Sequence, residues 1–338
     1  MKVSSRQPKN WLPQTHASRS GFTLLELMIV VVIIALLVGL VLPAINSART
    51  RARIVEVKKD ISDLEQAITQ FKVSFGIEPP SQMTLYPASA DWDLAPNNKR
   101  YKGFIKQMWP KFNFSTCGGA SDGAKFPSLP AGVPINLNGA ECLVFFLGGM
   151  IDASSGSFVG FAKDPANPFS PSSGAGAITN REGPFFEFKG ALNTSSLTFV
   201  GRLTDLDGDM VPEYRDPWPG QTNPYVYFNG VSGYQTQLMP PVFIPSDAPG
   251  PSPMWRNTDG MSLNTSGSLQ MPHAYYSKFD STSVTASRPQ KNKGIQIISP
   301  GADFAYGIGR LFDPTNTSNL YKDDKDNITN FHTGRLGE

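Results

Sequence analysis

The chain has 338 residues, enough for one large domain or two modest ones. Its formal net charge is only +2, which gives no electrostatic argument for a nucleic-acid partner. Two cysteines and three histidines, none at ligand spacing, argue against a zinc site.

The most informative stretch runs from Gly21 to Pro43. Its 21 residues from Phe22 to Leu42 contain Glu26 as their only ionisable side chain. A run of this length suits one membrane crossing as a helix, because the hydrocarbon core requires about 20 apolar residues. A carboxylate at that depth costs on the order of 2.5–3.5 kcal/mol unless something pairs with it. An ordinary signal anchor with an incidental glutamate is the alternative interpretation.

The sequence Gly21-Phe22-Thr23-Leu24-Leu25-Glu26 resembles the class III signal of type IV pilins and type II secretion pseudopilins. The resemblance implies that a prepilin peptidase cuts between Gly21 and Phe22 and methylates the new N-terminus. It also implies that Glu26 of one subunit pairs with the Phe22 amine of its neighbour, which sets the stagger of a filament. Residue chemistry agrees, since cleavage creates an ammonium group and a carboxylate is its natural partner in lipid.

Residues 1–21 are the predicted leader and are excluded from the fold. The leader carries four basic residues and no acidic one, which predicts that it stays on the cytoplasmic side of the inner membrane. The protein is then single-pass, with its C-terminal domain in the periplasm. Without the leader, the formal side-chain charge becomes −2.

Residues 22–45 are predicted to form the transmembrane and assembly half of a long helix, and residues 46–76 its soluble half. Apolar residues at spacings of three and four mark the buried face of the soluble half: Ile54, Val57, Ile61, Leu64, Ile68 and Phe71. The helix would run from Phe22 to about Ser74, on the order of 80 Å. Pro43, a position also assigned to assembly, is expected to weaken or bend it.

Residues 77–200 are predicted to be a loop-rich insertion, because glycine and proline become dense and helical periodicity nearly disappears. The segment 140–149 is the best element there and predicts a short buried helix or strand.

Residues 201–338 are predicted to form a pseudopilin-like β region with an acidic C-terminal segment. Asp216-Pro217-Trp218 with residues 223–228 is similar to the "DPWGNPY" strand entry of the major (type G) pseudopilin, interrupted here by residues 219–222. Residues 295–303 are similar to its last strand and "S-x-GAD" turn, and residues 323–331 to its acidic closing segment. The resemblance implies an α+β fold: a long, partly transmembrane N-terminal helix packed on a small antiparallel sheet, with a large insertion.

In major pseudopilins the turn after the last strand and the acidic tail together bind one Ca²⁺. The resemblance therefore implies a calcium site here. Ca²⁺ takes six to eight oxygen ligands, and Asp303 would meet Asp324 and Asp326 if the intervening loop folds back. A solvated acidic tail is the alternative.

A second possible calcium site is the alternating series Asp205, Asp207 and Asp209 around Gly208. Spacing of two places several oxygens on one side of a turn, which suits a hard cation. The series lacks the bidentate glutamate of an EF-hand, and a polar turn without an ion is the alternative.

Cys117 and Cys142 lie in the part that would be exported. A pair of cysteines in an oxidising compartment favours one disulfide, which would stabilise the fold by roughly 3 kcal/mol. Two free, buried thiols are the alternative.

The sequence contains no nucleophile elbow, Walker loop or His-Glu-x-x-His motif, and no enzymatic activity is predicted. The predicted function is a pseudopilin that polymerises into a periplasmic pseudopilus and drives protein export. Its implied partners are copies of itself, prepilin peptidase, other pseudopilins, the inner-membrane assembly platform and the membrane. The alternatives are a type IV pilin of a surface filament (adhesion, motility or DNA uptake) and a membrane-anchored enzyme or carbohydrate-binding protein.

Overall fold

A computed structural model describes most of the chain after the predicted signal. The described residues are 23–86, 89–94, 96–114, 134–152, 154–170, 180–206, 208, 210–229, 262–263, 269–270, 274–278, 288–290, 294–307 and 310–338. The chain divides into two compact units, Met1–Arg51 and Ala52–Glu338. Gly21 and Phe22 lie outside the described residues.

Helix α1 spans Leu24–Phe75 and confirms the long helix expected from the sequence. Its helical assignment continues through Pro43. Because Pro43 has no N–H, the carbonyl of Gly39 does not receive the usual bond from four residues ahead. The apolar side chains of the first unit are exposed, Leu24 at 77% and Leu40 at 69%.

In the second unit, α1 buries the predicted apolar face. Val57, Ile61, Leu64, Ile68 and Phe71 are buried, and Ile54 is partly buried against the same core. This core also includes Tyr225, Tyr227 and Ile297, which belong to the strand region near the C-terminus. The helix therefore packs on the sheet, as the sequence predicts.

The strands are short and form several small sheets. Their bounds are β1 (Met83–Leu85), β2 (Ile135–Leu137), β3 (Phe161–Ala162), β4 (Arg181–Glu182), β5 (Gly190–Asn193), β6 (Thr198–Gly201), β7 (Leu203–Thr204), β8 (Glu213–Tyr214), β9 (Val226–Asn229), β10 (Ser262–Leu263), β11 (Leu269–Gln270), β12 (Tyr275–Lys278), β13 (Arg288–Pro289), β14 (Ile295–Ser299), β15 (Arg310–Leu311) and β16 (Ile328–Thr329). Pairs β1–β2, β3–β4, β5–β6, β7–β8 and β10–β11 are two-stranded and antiparallel. Strands β13, β12 and β15 form a mixed sheet in that order.

The sheet that carries the predicted pseudopilin-like segments has the order β16-β14-β9 and is antiparallel. Ile297 of β14 lies opposite Tyr227 of β9, and Ser299 lies opposite Ile328 of β16. The acidic closing segment thus returns to pair with the strand that ends in the S-x-GAD turn.

Among the described residues, two further α-helices follow α1, after a short 3₁₀ helix at Ser89–Asp93. Helix α2 spans Pro96–Met108, and α3 spans Gly139–Gly148. The short buried element predicted at residues 140–149 is helix α3, and all ten of its residues are buried. Asn138 caps its N-terminus: its Oδ1 accepts from the N–H of Glu141, and the Glu141 carboxylate accepts from the N–H of Asn138. The α+β prediction is confirmed.

Candidate functional site

The N-terminus of α1 is closed by a reciprocal pair of side chains. The backbone N–H and hydroxyl of Thr23 both donate to Oε2 of Glu26, at 2.8 and 3.0 Å. The N–H of Glu26 donates back to the Thr23 hydroxyl at 3.1 Å. Thr23 is the N-cap and Glu26 the third helical residue, so the two form a capping box. The spacing Thr-x-x-Glu is typical of a capping box, but this feature was not predicted from the sequence.

The helix beyond this cap is long and apolar enough to cross a membrane. Its most apolar 18-residue window has a mean hydropathy of 3.2 and is entirely exposed. It is the one such helix among the described residues. Inside a protein core such a surface would be covered, so this one requires lipid or other helices around it.

Asp216 links its own segment, residues 216–228, to β14 through Ser299. Both segments are stretches that resemble the major pseudopilin in sequence. Its carboxylate accepts from the Ser299 hydroxyl at 2.6 Å, from the Trp218 N–H at 3.1 Å and from the Gln221 amide at 3.1 Å. Burial raises the pKa of Asp216 to about 6, although these hydrogen bonds oppose the shift.

Residues 219–222, which interrupt the resemblance in sequence, contribute to this contact. Gln221 is buried, and its amide also donates to the carbonyl of Gly301 at 3.3 Å. The interruption thus helps to fasten the Asp216 segment to the turn that carries Asp303.

Asp303 and Asp326 come together at that turn. Oδ2 of Asp326 accepts from the N–H groups of Ala302 and Asp303, at 2.6 and 2.8 Å. Gly301 precedes them with φ +71°, and a Cβ there would lie 2.3 Å from the Asp326 carbonyl oxygen. The turn therefore requires glycine to approach the tail this closely.

Electrostatics at this pair favours a cation. Burial, followed by the negative charges of Asp326 and Asp323, raises the pKa of Asp303 to about 7. Burial also raises the pKa of Asp326. Oδ1 of Asp326 is buried and has no hydrogen-bond partner. Two facing carboxylates with an unpaired buried oxygen fit an oxygen-seeking ion such as Ca²⁺.

An open cavity of about 420 Å³ adjoins the two carboxylates. Three acidic and three basic side chains line it, together with two small residues: Asp303, Asp326, Glu338, Lys322, Lys325, Arg335, Ala302 and Gly337. The formal charge of this lining is therefore balanced before any ion enters.

Asp324 has a different environment. It is fully buried, and its Oδ1 accepts from the Tyr275 hydroxyl at 2.6 Å. The short 3₁₀ turn Lys322–Asp324 carries it. Across the described part of the chain, no group of three or more His, Cys, Asp or Glu side chains lies close enough to hold a metal. The structure thus assembles Asp303 and Asp326, and Asp324 contributes to the core.

The second candidate loop is described only in part, since Asp207 and Asp209 lie outside the described residues. Asp205 accepts from the N–H of Gly208 at 2.8 Å and from that of Met210 at 3.1 Å. These bonds are those of a polar turn stabilised by an aspartate. A cation at this loop stays a prediction.

Cys142 lies in α3, and its side chain is fully buried. Burial raises its pKa well above the ordinary value, because an apolar surrounding disfavours the thiolate. Cys117 lies outside the described residues, and the disulfide between the two stays a prediction.

Comparison with known proteins finds similarity in the N-terminal region of the chain. The family model for the prokaryotic N-terminal methylation motif matches residues 16–42. The chain carries a prepilin-type methylation motif. This match covers Gly21, Phe22, Glu26 and most of the exposed apolar helix.

Curated relatives extend the similarity further along the chain. "Type II secretion system core protein G" of Pseudomonas aeruginosa is 32% identical over 92 residues, which is 27% of this chain and 65% of that protein. The proteins of the same name from Aeromonas hydrophila and Vibrio cholerae are 33% and 32% identical, over 27% of this chain and 64% and 62% of theirs. The chain therefore spans just under two thirds of these relatives' length. No solved structure matches it significantly. The resemblance of the N-terminal region to type II secretion pseudopilins is confirmed.

Proposed function

We propose that this protein is a pseudopilin of a type II protein secretion system. Its N-terminal helix anchors it in the inner membrane, its C-terminal domain lies in the periplasm, and copies polymerise into a pseudopilus that drives export. The observation that carries this proposal is the methylation motif followed by a wholly exposed apolar helix. The similarity to core protein G of three secretion systems favours this branch over a surface pilin.

The proposed mechanism is mechanical assembly, with no catalysis by this chain. Prepilin peptidase removes residues 1–21 and leaves an ammonium group at Phe22. Oε2 of Glu26 is occupied by the two Thr23 bonds, so Oε1 of an incoming subunit is the oxygen that pairs with the Phe22 ammonium of its neighbour. Pairing in lipid removes the cost of the lone carboxylate and fixes the axial register of neighbours. Other pseudopilins and the inner-membrane assembly platform complete the set of proposed partners.

The first experiment measures processing. The full chain is expressed with and without a prepilin peptidase, and its intact mass is determined. The proposal expects loss of residues 1–21 and gain of one methyl group only when the peptidase is present. Gly21→Ala should block the cut. Gly103→Ala is the matched control, because its added Cβ has no neighbour within 4 Å. An intact chain under both conditions would refute the class III signal.

The second experiment separates the two roles of Glu26. Glu26→Gln keeps the capping box, since glutamine at this position also accepts from the N-cap, but it removes the charge. Glu26→Ala removes both. We expect both variants to insert in the membrane and to lose chemical cross-linking between subunits. Thr23→Ser preserves the cap and should assemble normally. Normal cross-linking of Glu26→Gln would show that capping, not ion pairing, is what assembly requires.

We also propose that one Ca²⁺ binds between Asp303 and Asp326, with backbone carbonyls completing its oxygen shell. The raised pKa of Asp303 and the unpaired buried oxygen of Asp326 support this proposal. Isothermal titration of the full chain in detergent should give a Kd of about 10⁻⁴–10⁻³ M, the range of extracellular modules. Asp303→Asn should abolish the signal, and Asp164→Asn, an exposed aspartate elsewhere, should not. Absence of calcium-dependent heat in the unaltered chain would refute the site.

A further inference from the structure

The last four residues of the chain, 335–338, lie along the segment that carries Asp326. We call them the C-terminal strap. The N–H of Leu336 donates to the carbonyl of Asn327 at 3.0 Å, and the N–H of Gly337 donates to the carbonyl of Lys325 at 2.8 Å. Arg335 forms an antiparallel bridge with Ile328. These bonds hold the backbone on both sides of Asp326.

Packing fixes the strap in place. Leu336 is fully buried in a core cluster that includes Tyr275 and Phe312, with Phe331 packed against it. At Gly337 a Cβ would lie 2.7 Å from the Lys325 Cβ and 2.9 Å from its carbonyl oxygen. Only a glycine lets the strap lie this close to the residue that precedes Asp326.

The strap also forms one wall of the cavity beside the two carboxylates. Arg335, Gly337 and Glu338 line it together with Asp303 and Asp326. Nε of Arg335 donates to Glu338 at 3.0 Å, so the strap presents an ion pair to the cavity. Glu338 and Arg335 thereby neutralise each other, and the remaining charged side chains of the lining are Asp303 and Asp326 with Lys322 and Lys325.

We propose that the C-terminal strap positions the calcium site. It holds Asp326 opposite Asp303, and it thereby sets the affinity for Ca²⁺ without supplying a ligand. This inference rests on the proposed calcium site. Residues that orient metal ligands change metal affinity by about 10- to 100-fold when altered.

Leu336→Ala removes the anchor of the strap, and Gly337→Ala forces it away from Lys325. Each should weaken Ca²⁺ binding by at least about 10-fold in isothermal titration of the full chain. Leu336→Met, which keeps the apolar volume, should restore near-normal affinity. Leu203→Ala is the matched control: it empties a comparably buried site in the other core cluster and should leave affinity within about twofold.

A second measurement uses the unaltered chain and does not depend on a variant that folds. If the strap strengthens Ca²⁺ binding, thermodynamic linkage requires that bound Ca²⁺ stabilise the ordered strap by the same free energy. Hydrogen exchange should therefore slow at the amides of Leu336 and Gly337 when Ca²⁺ is added. It should not change at the amide of Leu192, which bonds to Gly156 in a different part of the unit.

The outcomes separate the two proposals. If Asp303→Asn abolishes binding but the strap variants bind normally and exchange at Leu336 is unchanged, the strap inference is wrong and the calcium site stands. If the unaltered chain binds no Ca²⁺, both are wrong. If strap variants and Leu203→Ala weaken binding equally, the effect is general destabilisation and the positioning role is refuted.

Discussion

A buried ion pair joins α1 to the residue between β6 and β7. Nη2 of Arg202 lies 2.6 Å from Oδ2 of Asp60, and these side chains are 16% and 4% exposed. The Tyr225 hydroxyl donates to Asp60 at 3.3 Å, and Nζ of Lys189 lies 3.8 Å away. Arg202 also stacks on the Tyr214 ring at 4.3 Å. Removal of Arg202 therefore leaves a buried carboxylate with weaker partners.

Arg202→Met tests this pair, because methionine keeps the stem that packs on Tyr214. Loss of one partner from a buried pair costs about 3–5 kcal/mol. In the variant, Asp60 keeps Lys189 and Tyr225 as partners. Lys189 is 60% exposed, so solvent screens its attraction to Asp60, and the two partners offset only part of the lost stability. We expect the free energy of unfolding to fall by about 2–3 kcal/mol. With a urea slope near 3 kcal/mol/M, the midpoint should drop by about 1 M.

The assay is urea unfolding of the full chain in detergent, followed by tryptophan fluorescence. Lys59→Met is the matched control: Lys59 pairs with Asp63 on the exposed face of the same helix, and its loss should cost far less stability than the loss of Arg202. In a double-mutant cycle, Arg202→Met with Asp60→Asn should be about 2 kcal/mol more stable than the sum of the single changes. Additive effects, or a loss no larger than that of Lys59→Met, would refute the argument.

Three further predictions follow from single residues. The raised pKa of Asp216 means that its carboxyl binds a proton more tightly in the folded state than in the unfolded state. The free energy of unfolding should therefore fall by up to about 3 kcal/mol as the pH rises from about 4 through 6. Asp216→Asn should flatten that part of a plot of urea midpoint against pH. Leu197 lies at an exposed hairpin turn with φ +53°, a left-handed conformation that is strained for leucine and not for glycine. Leu197→Gly should therefore raise the free energy of unfolding by about 0.5–1 kcal/mol in urea unfolding. No gain would show that the turn carries no strain. With a reductant present, Cys142 should resist iodoacetamide in the folded protein and react in urea, which peptide mass mapping measures. Rapid labelling of the folded protein would contradict its burial.

Much of the candidate site could be predicted from the sequence because its determinants are local. The apolar run, the lone Glu26 and the spacing of Ile54, Val57 and Ile61 depend only on neighbours within one helix. The strands at residues 226–229 and 295–299 fall in the segments 223–228 and 295–303, where the resemblance to the major pseudopilin implied them. The capping box at Thr23 was also local, and it was missed because Glu26 was considered only as a charge.

The tertiary structure decided which polar side chains meet. Sequence spacing made Asp324 and Asp326 equal candidates to join Asp303, but a 3₁₀ turn directs Asp324 to Tyr275 in the core and leaves Asp326 at the turn. Such a choice depends on where two distant segments cross, and no local pattern encodes it. The sequence by itself thus determined the anchor and the helix. Long-range packing alone determined the geometry around Asp303, because its partner lies more than twenty residues away along the chain.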